Sequence, residues 1–303
     1  ECYENGYGTE IDLARAFQLY QSAHEQGYAA ATCALGVCYE FGDGVAEDKA
    51  RAAALYLQAA RAGSVRAQCN YGYCCYRGIG VEEDNQEAVQ WFAKAAQAGS
   101  SRAQMLLGEC YENGFGVEAD PRKAFQLYQQ AHEGGSSAGT CSLGLCYELG
   151  TGVEQDKERA AQLYLQAAQA GNARAQCNLG FFYYHGIAVE EDNDQAFYWF
   201  SQSAEKMFHR AEFFLGECYE NGYGVEKDPG RAVEYYIKAH EGGRSDGTFA
   251  LAACYEKGFG VKEDPARARE LYREAARQGH KEAGEAVKRL SGKKKRKFPW
   301  QKK

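Results

Sequence analysis

The stretch Leu107-Gly108-Glu109-Cys110-Tyr111-Glu112-Asn113-Gly114-Phe115-Gly116-Val117 decides how this chain folds. It returns at residues 35–45, 143–153 and 215–225, and in weaker form at 71–81, 179–189 and 251–261. Neighbouring copies lie 36 residues apart throughout, without insertion or deletion. A fixed period of this size marks an array of stacked units, because one unit is too small to bury its own apolar face.

The residues around each copy define the unit. In residues 29–63, Ala31, Leu35, Cys38 and Tyr39 recur at helical spacing and predict a first helix over 29–41. Gly36 lies beside that stripe, where a missing side chain lets a second helix come close. Gly42 ends the helix, since the residue after a helix favours the left-handed conformation that glycine adopts at least cost. Asp48 is placed to cap a second helix over 49–61, whose packing stripe is Ala52, Ala53, Tyr56, Ala59 and Ala60. Sister units put Pro121, Pro229 and Pro265 directly after the capping Asp, at the first helical position where a missing N–H costs nothing. The reading is therefore all-α: a truncated unit at 1–28, seven full units over 29–280, a capping helix at 281–290 and a disordered basic tail at 291–303. A slower period overlies the first. Residues 1–6, 109–114 and 217–222 are identical, as are 23–25, 131–133 and 239–241, so three-unit cassettes repeat every 108 residues.

Composition removes several classes of function. The 303 residues are 45% hydrophobic and 25% charged, as in ordinary soluble proteins, and no apolar run reaches the roughly 18 residues of a membrane helix. No secretory signal is visible. The chain opens inside a repeat without Met, which reads as a fragment. Net charge is −7, but seven positive charges follow Gly292, leaving residues 1–292 at −14. An acidic body argues against nucleic acid on the repeats. The twelve cysteines fall in repeat phase on the first helices, Cys75 apart. Pairs five residues apart on one helix are too far for a disulfide, and their spacing fits no zinc site. They are expected to be reduced, buried, small hydrophobes, which places the protein in a reducing compartment, the cytoplasm or the nucleus.

No nucleotide loop, nucleophile elbow, His-Glu-x-x-His helix or calcium loop is present, so neither an enzyme nor a cofactor is expected. The Gly-x-Gly pairs follow a helix and precede an Asp, a setting for a turn rather than a phosphate. His24, His132 and His240 share one phase on the second helices and read as packing residues.

The pattern Leu-Gly-x-x-Tyr-x-x-Gly-x-Gly-Val, then Asp, then Ala-x-x-(Tyr/Trp)-(Tyr/Phe)-x-x-Ala-Ala-x-x-Gly resembles the Sel-1-like repeat family, relatives of the tetratricopeptide repeats, over residues 1–290. The resemblance implies a right-handed α/α superhelical solenoid acting as a non-enzymatic scaffold or adaptor. Secreted bacterial members bridge each repeat with a disulfide, and this chain departs from them because its cysteines lie only on first helices. In tetratricopeptide-type stacking, the side of the first helix away from Leu35 lines a concave groove. Those positions supply Arg66, Asn70, Tyr73 and Arg77, then Arg102, Leu106, Glu109 and Asn113, and later Arg174, Asn178, Phe181 and His185, then Arg210, Phe214, Glu217 and Asn221. From these, Arg66, Asn70, Tyr73, Arg102, Arg174, Asn178, Phe181 and Arg210 are the candidates for holding a partner protein or peptide. Asn suits a peptide backbone, Arg a carboxylate and the rings an apolar side chain, so an acidic or C-terminal carboxylate motif is the expected ligand. The alternative is that the repeats are a regulatory or targeting arm of a larger enzyme, a kinase or ligase for example, whose catalytic domain lies elsewhere. The tail Lys293-Lys294-Lys295-Arg296-Lys297 reads as a nuclear-import signal, with an anionic membrane contact as the other reading.

Overall fold

The computed structural model describes residues 2–292, so the basic tail lies outside the described residues. Among the described residues every regular element is an α-helix, and the helices follow one another in consecutive pairs. The chain forms two compact units, Glu1–Ala160 and Ala161–Lys303. The first holds α1 (Cys2–Asn5), α2 (Leu13–Glu25), α3 (Ala29–Phe41), α4 (Lys49–Arg61), α5 (Val65–Arg77), α6 (Asn85–Gln97), α7 (Ser101–Asn113), α8 (Pro121–Glu133) and α9 (Ser137–Leu149). The boundary falls within α10 (Lys157–Gln169). The second holds α11 (Ala173–His185), α12 (Asn193–Ala204), α13 (His209–Asn221), α14 (Pro229–Glu241), α15 (Ser245–Lys257), α16 (Pro265–Arg277) and α17 (Ala283–Gly292).

In the first unit, α3 and α4 span the residues expected from periodicity, and the turn between them is fully accounted for. Gly42 has φ 78° and returns its N–H to the carbonyl of Cys38. Asp48 donates its own N–H to the carbonyl of Tyr39 at 2.8 Å, while its side chain accepts from the N–H of Arg51 at 2.9 Å. That carboxylate satisfies a first-turn donor that would otherwise be bare. The second glycine of the turn makes a different contact. At Gly44, Gly80, Gly116 and Gly152 an added Cβ would overlap the backbone of Leu13, Lys49, Asn85 and Pro121, the first residues of the second helices one repeat earlier. This glycine is therefore the seam between successive repeats.

Inside most pairs the helices meet at a glycine, Ala252 taking its place between α15 and α16. A Cβ on Gly36 would lie 2.7 Å from the ring of Tyr56, and one on Gly108 would lie 2.6 Å from that of Tyr128. Tyr56 and Tyr128 are fully buried and Tyr20 half-buried, yet each hydroxyl is satisfied: Tyr20, Tyr56 and Tyr128 donate to Glu4, Glu40 and Glu112 at 2.6, 2.5 and 2.6 Å. Burial first, and then the glutamate, push the Tyr56 and Tyr128 hydroxyls well above the ordinary tyrosine range. The pair at Gly72 is built differently, with apolar Phe92 against Gly72 and Tyr76 edge-on to Phe92 at 6.4 Å.

The second unit repeats the scheme. Tyr236 and Tyr272 donate to Glu220 and Glu256 at 2.6 and 2.9 Å, and Gly180 seats Phe200, with Tyr184 edge-on to it at 6.2 Å. Ala188 and Met207 hold φ 57° at turn positions where sister repeats have glycine, for example Gly152 and Gly243. The expected capping helix begins two residues later than read, as α17. It turns Ala283, Ala286 and Leu290 inward and leaves Glu285, Lys288 and Arg289 exposed, as are Lys281 and Glu282 in the turn before it.

All twelve cysteines are free. Eleven are buried, but Cys2 is exposed, contrary to the expectation that all are covered. Its helix is a four-residue stub with no buried residue, so nothing covers the thiol. Burial pushes Cys74, Cys110 and Cys146 up to about 12, and Cys218 and Cys254 likewise, which keeps them as thiols. The phased histidines have a definite role. Nδ1 of His24, His132 and His240 lies 2.8, 3.0 and 2.9 Å from the hydroxyls of Thr32, Thr140 and Thr248, tying each second helix to the next first helix.

Candidate binding face of the first helices

In the first unit, α3, α5 and α7 together enclose a cleft of ≈ 350 Å³. Four of the eight nominated residues line it, namely Arg66, Asn70, Tyr73 and Arg102. Helical phase brings the first three to one side of α5, and the repeat step carries Arg102 alongside from α7. The Arg102 guanidinium is held from two directions. It donates to the side-chain oxygen of Asn70 at 3.2 Å and lies 5.6 Å from the ring centre of Tyr73. Neither partner is anionic, so neither cancels its charge. Among the described residues neither Arg66 nor Arg102 has an ion-pair partner, unlike Arg231, Arg244, Arg267 and Arg289 of the second unit.

Val37 and Phe41 also line the cleft, in the columns that supply Tyr73 and Arg77 and that the sequence reading placed on the groove, whereas Glu40 and Tyr56 are the lining residues that sequence reasoning missed. Phe41 is 66% exposed and is the apolar wall beside the arginines. It stands at the last helical position before Gly42, in the column that supplies Arg77, Asn113, His185 and Asn221. Glu40 is a carboxylate that shares the cleft with Arg66 and Arg102, and it accepts the Tyr56 hydroxyl. Next along the face, Arg77, Tyr76, Glu83, Asn85 and Phe115 line a second hollow, with Tyr76 and Phe115 at 5.9 Å.

The second unit builds the same bracket. Arg210 donates to the side-chain oxygen of Asn178 at 3.0 Å and lies 5.3 Å from Phe181 and 5.6 Å from Phe214. Arg174 is exposed on the same helix as Asn178 and Phe181. His185 packs on Phe181 at 4.3 Å.

Several candidates are less open than helical phase implied. Asn178 is 5% exposed, and Leu106 and Phe214 are also buried. First helices lie side by side, so a residue on the flank of one is covered by its neighbour even when it points away from Leu35. Asn178 therefore presents no free amide to a ligand; it positions Arg210. Asn113 and Asn221 donate to the carbonyls of Glu109 and Glu217 at 2.9 and 3.0 Å, closing their own helix ends. Burial, then Glu220 and Asp246, push the Glu217 carboxyl up to about 7.

No cluster of metal-ligating side chains occurs among the described residues, and no described helix is long and apolar enough to cross a membrane.

The Sel1 repeat matches this chain at residues 1–28, 29–64, 65–100, 101–136, 137–172, 173–206, 209–243 and 245–280. Among solved structures, the chain is similar to c5321, described as a protective antigen present in uropathogenic Escherichia coli strains and displaying an SLR fold. The two share 37% identity with a TM-score of 0.69, over 96% of this chain and 63% of that one. It is also similar to a Sel1 repeat protein from Oxalobacter formigenes, at 28% identity and a TM-score of 0.70, over 80% of this chain and 96% of that one. No curated protein matches. The repeat boundaries found this way coincide with the helix pairs described above, and the chain belongs to the Sel1 repeat family.

Proposed function

We propose that the first-helix face of this chain holds an extended segment of a partner protein by its carboxylates, those of acidic side chains or of a C-terminus. Sel1 repeat proteins generally serve as protein–protein interaction scaffolds. The observation that carries the finer reading is the cleft in the first unit. There Arg66 and Arg102 stand without ion-pair partners, Asn70 and Tyr73 orient Arg102 without neutralising it, and Phe41 offers an apolar wall. A guanidinium pre-oriented by neutral groups loses little freedom on meeting a carboxylate, and the planar fork matches it with two parallel hydrogen bonds. In the second unit Arg174 and Arg210, with Phe181, are the corresponding contacts, and Asn178 holds Arg210 in place. If the repeats are an arm of a larger enzyme, the same face has the same role, that of recruiting a partner.

The reading is tested with short acidic peptides carrying either a free or an amidated C-terminus. Binding should require carboxylates, and Arg66→Gln and Arg102→Gln should each weaken it by about 1 to 3 kcal/mol. Equal binding of a neutral peptide, or unchanged affinity in both variants, would refute it.

A further inference from the structure

We infer that the first-helix face carries two discrete carboxylate sites, one in each compact unit, rather than one groove read repeat by repeat. The inference rests on the proposed function and adds to it the number of sites and what distinguishes them.

The column of residues at the start of successive first helices reads Ala30, Arg66, Arg102, Ala138, Arg174, Arg210, Asp246. A groove gripping an extended chain continuously would keep a cation at each step. Here the arginines come in pairs, and alanine or aspartate interrupts them. The neighbouring columns keep the same cassette: Asn70, Leu106 and Ser142 become Asn178, Phe214 and Ala250, while Tyr73 and Glu109 become Phe181 and Glu217.

The geometry follows the pairing. In each unit the second arginine donates to the side-chain oxygen of an Asn 32 residues earlier, at 3.2 Å for Arg102 and 3.0 Å for Arg210. In each it also lies over a ring 29 residues earlier, at 5.6 Å from Tyr73 and 5.3 Å from Phe181. Two independent devices thus hold the same guanidinium twice, 108 residues apart. All four arginines occupy the second residue of their helices, where positive charge opposes the helix dipole. None has an ion-pair partner among the described residues. Four arginines placed against the local electrostatic preference, on a body of net charge −14 over residues 1–292, are explained by an anionic ligand. Beyond Arg210 the column ends in Asp246, which pairs with Arg244 at 2.6 Å, so no cation continues the row.

The two sites differ in their walls. Around Arg102 stand Tyr73 and Leu106, whereas around Arg210 stand Phe181 and Phe214, whose rings are 5.6 Å apart. The second site is the more apolar, so it takes a carboxylate flanked by an aromatic or branched apolar side chain.

The experiment is isothermal titration of the full chain with the peptide Gly-Gly-Glu-Glu-Leu-Phe bearing a free C-terminus. The inference predicts two bound peptides per chain, one in Arg102→Gln, one in Arg210→Gln and none in the double variant. Arg174→Gln, an exposed position, should weaken the second site at least threefold even if Arg210→Gln disturbs folding; circular dichroism confirms that each variant is folded. One bound peptide, lost in Arg102→Gln and indifferent to Arg210→Gln and Arg174→Gln, would overturn the second site and leave the proposed function standing. One peptide needing both Arg102 and Arg210 would show a single continuous groove and also overturn the inference. Absence of binding to the wild-type chain would overturn both readings.

Discussion

Between the helices of a repeat, Gly36 meets Tyr56, Gly72 meets Phe92 and Gly108 meets Tyr128, a contact renewed every 36 residues. On the outward face of the first helices, the same step replaces Ala30 with Arg66, then Arg102, then Ala138, and the pattern returns only after 108. The interior tolerates one exchange, a Glu–Tyr hydrogen bond for a Tyr–Phe edge contact, because either fills the space beside the glycine. The face meets no such packing demand. The 36-residue period carries the pairing of helices, and the 108-residue period carries both the His–Thr ties between repeats and the arginines of the face.

The largest expected effect lies in the seam. Gly152→Val puts a β-branched side chain at φ 75° and drives its Cβ into the backbone of Pro121. Backbone strain of about 1 to 3 kcal/mol and overpacking of similar size should together cost on the order of 2 to 6 kcal/mol in urea unfolding. Gly135→Ala is the control, since its φ is 79° but nothing lies within 4 Å of the added Cβ. It should cost about 1 kcal/mol, from backbone strain alone. Equal losses in the two would remove the seam from this account.

The interior comes next. Tyr128→Phe keeps the ring but strips Glu112 of its donor, at a cost of roughly 1.5 to 3 kcal/mol. Phe92→Tyr, in the repeat where Tyr76 replaces the glutamate, should bring no matching gain. A gain there equal to the loss at Tyr128 would show that hydroxyls in this layer act without regard to their partners.

Glu217 links interior and face. Its carboxyl is pushed up to about 7 by burial, then by Glu220 and Asp246. A carboxyl raised in the folded state contributes stability below its unfolded value, near 4.5, that is lost as pH rises through 7. Glu217→Gln should therefore stabilise the protein by on the order of 1 to 2 kcal/mol at pH 8 and change little at pH 4. Stabilisation of equal size at both pH values would contradict the assignment.

The smallest effects separate two asparagine–arginine neighbours on the face. Asn178→Ala should cost about 1 kcal/mol, because it removes a buried partner of Arg210. Arg174→Ala, at an exposed position, should stay within about 0.5 kcal/mol. Thermal melts of the two variants side by side give the answer, and a larger loss at Arg174 would reverse their roles.

Much of this architecture could be read from residues alone. Helix bounds at 29–41 and 49–61 follow from caps and glycines that act locally, and local rules carry over from sequence to structure with little distortion. What escaped reading spans the turns. The Glu40–Tyr56 hydrogen bond joins residues 16 apart on two helices, so nothing local in the sequence marks Glu40 as a partner. The brackets from Asn70 to Arg102 and from Asn178 to Arg210 join residues 32 apart. Helical phase reports which way a side chain points, but not whether the next first helix covers it. That is why Asn178 and Leu106 looked open and Cys2 looked covered.

Hydrogen–deuterium exchange of the full chain, with and without saturating Gly-Gly-Glu-Glu-Leu-Phe, tests most directly the claim that the fold and the binding face are carried by different positions. The account predicts ligand-dependent protection in α5, α7, α11 and α13, with no change in the second helices α6, α8, α12 and α14. Protection concentrated in those second helices, or spread evenly over both sets, would contradict it.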